Sequence, residues 1–193
     1  LPEVFKTVEF VNADEIARGL SPFIVEGVAF QAGRIMLQRL ADLVKSQKSF
    51  AFETTLSGLA YLNFVKDVTT KGYEVVLFYV WLSSPALAKE RVALRVSKGG
   101  HNIPKTVIEA RYHKSIKNFV KFAGKVTQWY IYNNSTEDYK LIAKNISGEQ
   151  KIYNFELYNN RVMMEIKSLK DLIDKIQIAL DKATKNLIAE TKA

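Results

Sequence analysis

The feature that most constrains this chain is the run Glu74-Val75-Val76-Leu77-Phe78-Tyr79-Val80-Trp81-Leu82, apolar at nearly every position. A strand solvated on one face alternates apolar and polar side chains. An unbroken apolar run predicts a parallel strand covered on both faces. Parallel neighbours must be joined by long crossovers, usually helices. The flanking sequence provides them. Gly27 to Val44 places Val28, Ala32, Ile35, Leu40 and Val44 near one helical face. A second helix is expected from an N-cap at Ser57 to about Thr70, with Gly72 as its C-cap. Ser84-Pro85 starts a third over Ala86–Val96, and Pro104 starts a fourth running to about Phe122. Further strands are expected at Val8–Val11, Ser49–Glu53, Gln128–Asn133 and Leu141–Ala143. A long helix over Ser168–Ile188 is expected from the spacing of Leu169, Leu172, Ile173, Ile176, Ile178 and Leu180. The sum is an α/β fold of three layers, a mostly parallel sheet between helices, in one domain over residues 1–193.

Composition narrows the partners. There is no cysteine, which removes disulfides, thiolate metal sites and a thiol nucleophile, and fits the cytoplasm. No segment approaches the ~18 consecutive apolar residues of a membrane span. The net charge of +8 is uneven. Residues 1–90 carry 9 Lys/Arg against 10 Asp/Glu, while residues 91–193 carry 19 against 10. A basic half attracts polyanions, nucleotides among them. The stretch Tyr153–Tyr158 is aromatic with basic flanks, but it matches no RNA-binding signature, and nucleic acid is not expected as a partner.

In such folds ligands bind beyond the carboxyl ends of the strands. Two carboxylates fall there, Asp14 and Glu53. Phosphoryl transfer requires a grip on the donor phosphates, cations over the moving charge and an oriented acceptor hydroxyl. Asp14 is placed to take that hydroxyl's proton, or to cap the helical turn Glu15–Arg18. Glu53 holds an acceptor hydroxyl or a magnesium-bound water, or is a solvated strand end. Arg91, Arg95 and Arg111 fill the cationic role, or line a solvated helix face. Arg91 and Arg95 share a face just before Gly99-Gly100, an arrangement suited to a mobile lid closing on polyphosphate. Lys114, one turn past Arg111, either adds to that patch or faces water. His101 has no second ligand at metal spacing, so zinc is not expected.

Taken in order, these residues resemble the zeta-toxin-like P-loop kinases over about Val8 to Ala143. The similarity rests on Phe10-Val11-Asn12-Ala13-Asp14-Glu15-Ile16-Ala17, Phe52-Glu53-Thr54-Thr55-Leu56-Ser57-Gly58, Gly72-Tyr73 and Trp81-Leu82-x-Ser84-Pro85. It continues through Arg91 and Arg95, Gly99-Gly100-His101-Asn102-Ile103-Pro104, Arg111-Tyr112 and Asn133-Asn134-Ser135. The resemblance implies an ATP- or GTP-dependent kinase using Mg2+, with a small phosphorylated acceptor such as UDP-N-acetylglucosamine and an antitoxin protein as partner. It implies Asp14 as base, Arg95 and Arg111 as the phosphate-neutralising pair with Arg91 beside them, and Glu53, Thr54 and Thr55 toward the acceptor. Asn133 and Ser135 fall near the nucleoside. The rival readings are a kinase of the same fold acting on a nucleoside or RNA end, and a non-catalytic binder that lost the phosphate loop.

Two departures stand out. The family's central first strand and its G-x-x-x-x-G-K-[ST] loop have no match in the 193 residues from Leu1 onward. The expectation is a chain given without them, with a gap in its sheet, and inactive as given. The second departure is Leu56-Ser57, where the family has a basic sugar-phosphate contact nearby.

Overall fold

The computed structural model describes residues 9–154. Val8 and the helix expected over Ser168–Ile188 lie outside the described residues. In chain order the elements are strand β1 (Phe10–Val11), helix α1 (Ala13–Leu20), a 3-10 turn (Val25–Val28), α2 (Ala29–Lys45), β2 (Ala51–Phe52), α3 (Ala60–Thr70), β3 (Val76–Trp81), α4 (Pro85–Ser97), α5 (Lys105–Ala123), β4 (Gln128–Asn133), β5 (Lys140–Ile146) and β6 (Glu149–Ile152).

The α/β class holds, but the strands fall into two separate sheets. β1 pairs with β2 in parallel. The second sheet runs β3-β4-β5-β6, with β3 and β4 parallel and the other two pairings antiparallel. The mostly parallel sheet is therefore corrected to a mixed arrangement among the described residues. The cause is connection length. Residues 134–139 leave no room for a crossover helix, so β5 must return antiparallel to β4. β5 and β6 are joined by Ser147-Gly148, both at positive φ (51° and 91°), the signature of a tight two-residue hairpin turn.

The apolar strand is β3, and its faces differ. Tyr79 and Trp81 are buried against α5, whereas Val76, Phe78 and Val80 on the other face are 38–48% exposed. Coverage on both faces is thus not found among the described residues. Phe78 stacks instead on Tyr130 at 5.0 Å, its register partner on β4.

Two apolar clusters hold the fold. One joins Tyr79, Trp81, Trp129, Ile131 and Ile142 of the larger sheet to Ile116, Phe119 and Phe122 of α5. The other joins Val11 of β1 to Met36, Leu40 and Leu43 of α2. Tyr61 of α3 packs against both, so α3 ties the two sheets together. Burial pushes the Tyr79 hydroxyl up to about 12, only partly relieved by its hydrogen bond to Ser115.

Helix ends follow their local chemistry. Ser84 caps α4 by accepting from Leu87 N–H, with Pro85 in the first turn. Gly72 (φ 85°) closes α3: its N–H bonds Thr69 O, and Tyr73 N–H bonds Val68 O. Gly99-Gly100 closes α4 by the same two-bond pattern, to Val96 O and Arg95 O. A Cβ on Gly100 would stand 2.6 Å from Arg95 Cγ and 2.8 Å from its carbonyl oxygen. The glycine pair is therefore a helix terminator in this structure, with Gly100 packed against Arg95. Ser57 does not cap α3. Leu59 holds that position without a side-chain bond, and Ser57 Oγ pairs with Thr55 Oγ1 at 2.8 Å.

Candidate functional site

The parallel pair β1–β2 is short, but it places two carboxylates at neighbouring strand ends. Val11 is in register with Phe52, so Asn12 and Glu53 leave the strands side by side. Asn12 Nδ2 donates to Glu53 Oε2 at 2.9 Å. Asn12 Oδ1 accepts from the N–H groups of Asp14 (2.7 Å) and Glu15 (3.3 Å), which starts α1. The cap is therefore Asn12, not Asp14. With the capping task elsewhere, the exposed Asp14 carboxylate has no hydrogen bond or ion pair among the described residues. Asn12 is a residue whose role the sequence reading missed, although an Asn preceding an acidic first turn is an ordinary cap signal.

The loop after Glu53 is fixed from several sides. Thr54 Oγ1 accepts from Leu56 N–H at 3.2 Å. Leu56 adopts φ 54°, a left-handed conformation that L side chains disfavour, and is buried in the larger cluster. Its carbonyl accepts from the buried Asn118 Nδ2 at 2.9 Å. Asn118 thereby pins the loop to α5, and it too went unread in the sequence. Its signal is a polar residue on the face shared by Ile108, Ile116, Phe119 and Phe122.

The arginines divide. Arg111 projects from α5 into a cleft of about 340 Å3 that Ser57 also lines, so it meets the Glu53–Ser57 loop. Arg91 Nη2 donates to Thr136 O at 3.5 Å and so faces the turn after β4. Arg95 Nη2 donates to His101 O at 3.3 Å, folded onto the loop that follows its own helix. No ion pair joins any of these three to Asp14 or Glu53. Helices α4 and α5 are held together by Lys89–Glu109 at 2.6 Å, and this pairing keeps the Glu109 carboxyl below its usual range.

Asn133 and Ser135 do come together, at the carboxyl end of β4. Asn133 Oδ1 accepts from Ser135 N–H (2.9 Å) and Ser135 Oγ (2.5 Å), and Ser135 Oγ accepts from Ser83 N–H (2.8 Å). They knit the tips of β3 and β4, where Trp81 Nε1 is buried without a hydrogen-bond partner among the described residues. Among the described residues no three His, Cys, Asp or Glu side chains converge on a metal-sized site.

The sequence profile of the zeta toxin family matches residues 12–153. The chain belongs to the zeta toxin family. An uncharacterized protein of Haemophilus influenzae (strain Rd) is 28% identical over 102 residues, 53% of this chain and 73% of that protein. The fold is shared with a solved chain from the PezAT chromosomal toxin–antitoxin system of Streptococcus pneumoniae. The two superpose with a TM-score of 0.56 at 15% identity, over 89% of this chain and 79% of the other. The family match takes in every element that carries Asp14, Glu53, the three arginines and the Asn133–Ser135 turn.

Proposed function

We propose that this zeta toxin family member serves as an ATP- or GTP-dependent kinase, transferring the γ-phosphate to a hydroxyl of a small phosphorylated acceptor such as UDP-N-acetylglucosamine. The observation that carries the reading is the placement of Asp14 and Glu53 at the ends of adjacent parallel strands, bridged by Asn12. An acceptor hydroxyl held by Glu53, with Thr54 and Thr55 beside it, lies where Asp14 can take its proton. Arg95 and Arg111 neutralise charge on the transferred group, Arg91 supports them, and Asn133 and Ser135 border the nucleoside.

The break between β2 and β3 supports a further part of the proposal. No ladder joins these strands, so each leaves one edge unpaired among the described residues. Unpaired backbone groups between packed layers call for a partner. A parallel strand entering there, followed by a glycine-rich phosphate loop, would merge the two sheets. It would also put that loop at the carboxyl ends shared by Asp14, Glu53 and Asn133. Residues 9–154 contain no such loop. In this reading the loop and the described elements form a single kinase domain. For Arg95 to reach the phosphates, the turn 98–104 must move and its bond to His101 O must break, which is the content of the lid reading. An antitoxin protein as partner and a cytoplasmic location complete the proposal.

The test is direct. The chain joined to a strand and glycine-rich phosphate loop is incubated with ATP or GTP and UDP-N-acetylglucosamine, and phosphorus NMR follows the products. A new phosphomonoester on the sugar is expected. Nucleotide consumption with a nucleoside or RNA end phosphorylated instead would move the acceptor. Tight nucleotide binding with no transfer to any of these would favour a non-catalytic binder.

A further inference from the structure

The larger sheet has a second face. On the first, Tyr79, Trp81, Trp129 and Ile131 pack against α5. Val76, Phe78 and Val80 alternate with these along β3 and are 38–48% exposed. Register carries this second face across the sheet: Phe78 pairs with Tyr130, Val80 with Tyr132, and Tyr130 with Lys144. Phe78 stacks on Tyr130 at 5.0 Å and on Tyr132 at 6.4 Å. The crossover from β3 to β4 places its helix α5 on the first face. The connections from β4 to β5 and from β5 to β6 are turns, too short to cover the second. An apolar surface of this kind calls for a partner.

The path of the chain points to that partner. Lys151 of β6 pairs with Lys144, and both ammonium groups stand over the Tyr153 ring, at 5.3 and 5.9 Å. Tyr153 therefore lies on the face of Phe78, and the chain leaves β6 on the side of the sheet away from α5. β3 is three strand spacings from β6, ~14 Å. Residues 155–167, at ~3.3 Å each, reach ~40 Å. Beyond them Leu169, Leu172, Ile173, Ile176, Leu180 and Leu187 recur at helical spacing along one stripe, while Asp171, Lys182 and Lys185 fall on the opposite side. A helix over residues 168–188 would be ~30 Å long, enough to cross the ~20 Å of β3.

We infer that residues 168–188 form a helix whose apolar stripe covers the face of Val76, Phe78 and Val80. The larger sheet is then enclosed by helices on both sides, and the domain runs to the end of the C-terminal helix. Phe23 and Phe30, 96% and 81% exposed, are a rival seat for an apolar helix. They belong to the turn and helix beside the smaller sheet, whereas the chain departs from the larger one at Tyr153. The contact is independent of the chemistry proposed at Asp14, so either can fail without the other.

The chain has no cysteine, so Gln177→Cys, at the flank of the stripe, carries a single nitroxide label. In the labelled 193-residue chain, the amide resonances of Val76, Phe78, Val80, Tyr130 and Tyr132 are expected to broaden. Adding Ile176→Asp should abolish that broadening. Broadening centred on Phe23 and Phe30, or none within residues 9–154, would overturn the contact, and neither outcome depends on the Asp variant folding. Persistent broadening of β3 in a folded Ile176→Asp chain would overturn it as well. Mixing isotope-labelled chain with nitroxide-carrying chain tests for a second copy: broadening of β3 across chains would assign the face to a dimer instead. The same measurement on the chain joined to a strand and glycine-rich phosphate loop should give the same broadening. Its loss there would assign the face to the added segment and overturn the assignment to residues 168–188.

Discussion

Asp14→Asn is expected to lower kcat by ~10²–10⁴-fold, the usual range for a general base, while nucleotide affinity stays near wild type. The geometry makes the experiment clean. Had Asp14 capped α1, its loss would also cost helix stability, but the cap is Asn12 and Asp14 contributes only its backbone N–H. The substitution keeps size and shape, and it removes one exposed carboxylate with no structural partner among the described residues. Thermal stability should therefore barely change. A kcat within about threefold of wild type would remove Asp14 from the chemistry. Asn12→Ala is the contrasting variant, because it frees Glu53 and uncaps α1 together.

The second large effect is expected at the arginines. Arg111→Lys keeps the charge but loses the planar fork that meets phosphate oxygens in pairs. Loss of a transition-state donor typically costs ~10²–10³-fold in kcat, and Arg111→Ala should fall in that range with little change in nucleotide affinity. Arg95→Ala should act in the same direction but less strongly. Arg95 starts from a bond to His101 O that must be broken before it can help, whereas Arg111 already faces the cleft. Steady-state rates and a nucleotide titration on each variant decide the matter. Wild-type kcat in both alanine variants would make these residues ordinary surface arginines.

Much of this arrangement was legible in the sequence, where the signals are local. Ser84-Pro85 announces α4, Pro104 precedes α5, and Gly72 closes α3, because capping and φ restriction act within a few residues. The two strand-tip carboxylates were readable because apolar runs end at Val11 and Phe52. What escaped depends on tertiary context. β6 has the sequence Glu-Gln-Lys-Ile, with no apolar alternation, and is a strand only because Ser147-Gly148 folds it onto β5. The one-sided burial of β3 depends on which layers cover it, and an apolar run cannot tell one covered face from two. Asn118 gains meaning only from the Leu56 carbonyl that it meets 62 residues away. The division of the strands into two sheets likewise depends on which strands meet across the fold, which no local signal carries.

The central claim is that a phosphate-loop strand completes the sheet between β2 and β3 and thereby creates the kinase. The most direct measurement is the rate of γ-phosphate loss from ATP in two proteins. One is the chain of residues 1–193 alone, and the other is the same chain joined to a strand and glycine-rich phosphate loop. The account predicts no turnover by the first and acceptor-dependent turnover by the second, because the loop supplies several charge-assisted contacts of ~1.5–3 kcal/mol each. Turnover by residues 1–193 alone, or none by the extended protein with any acceptor, would contradict it.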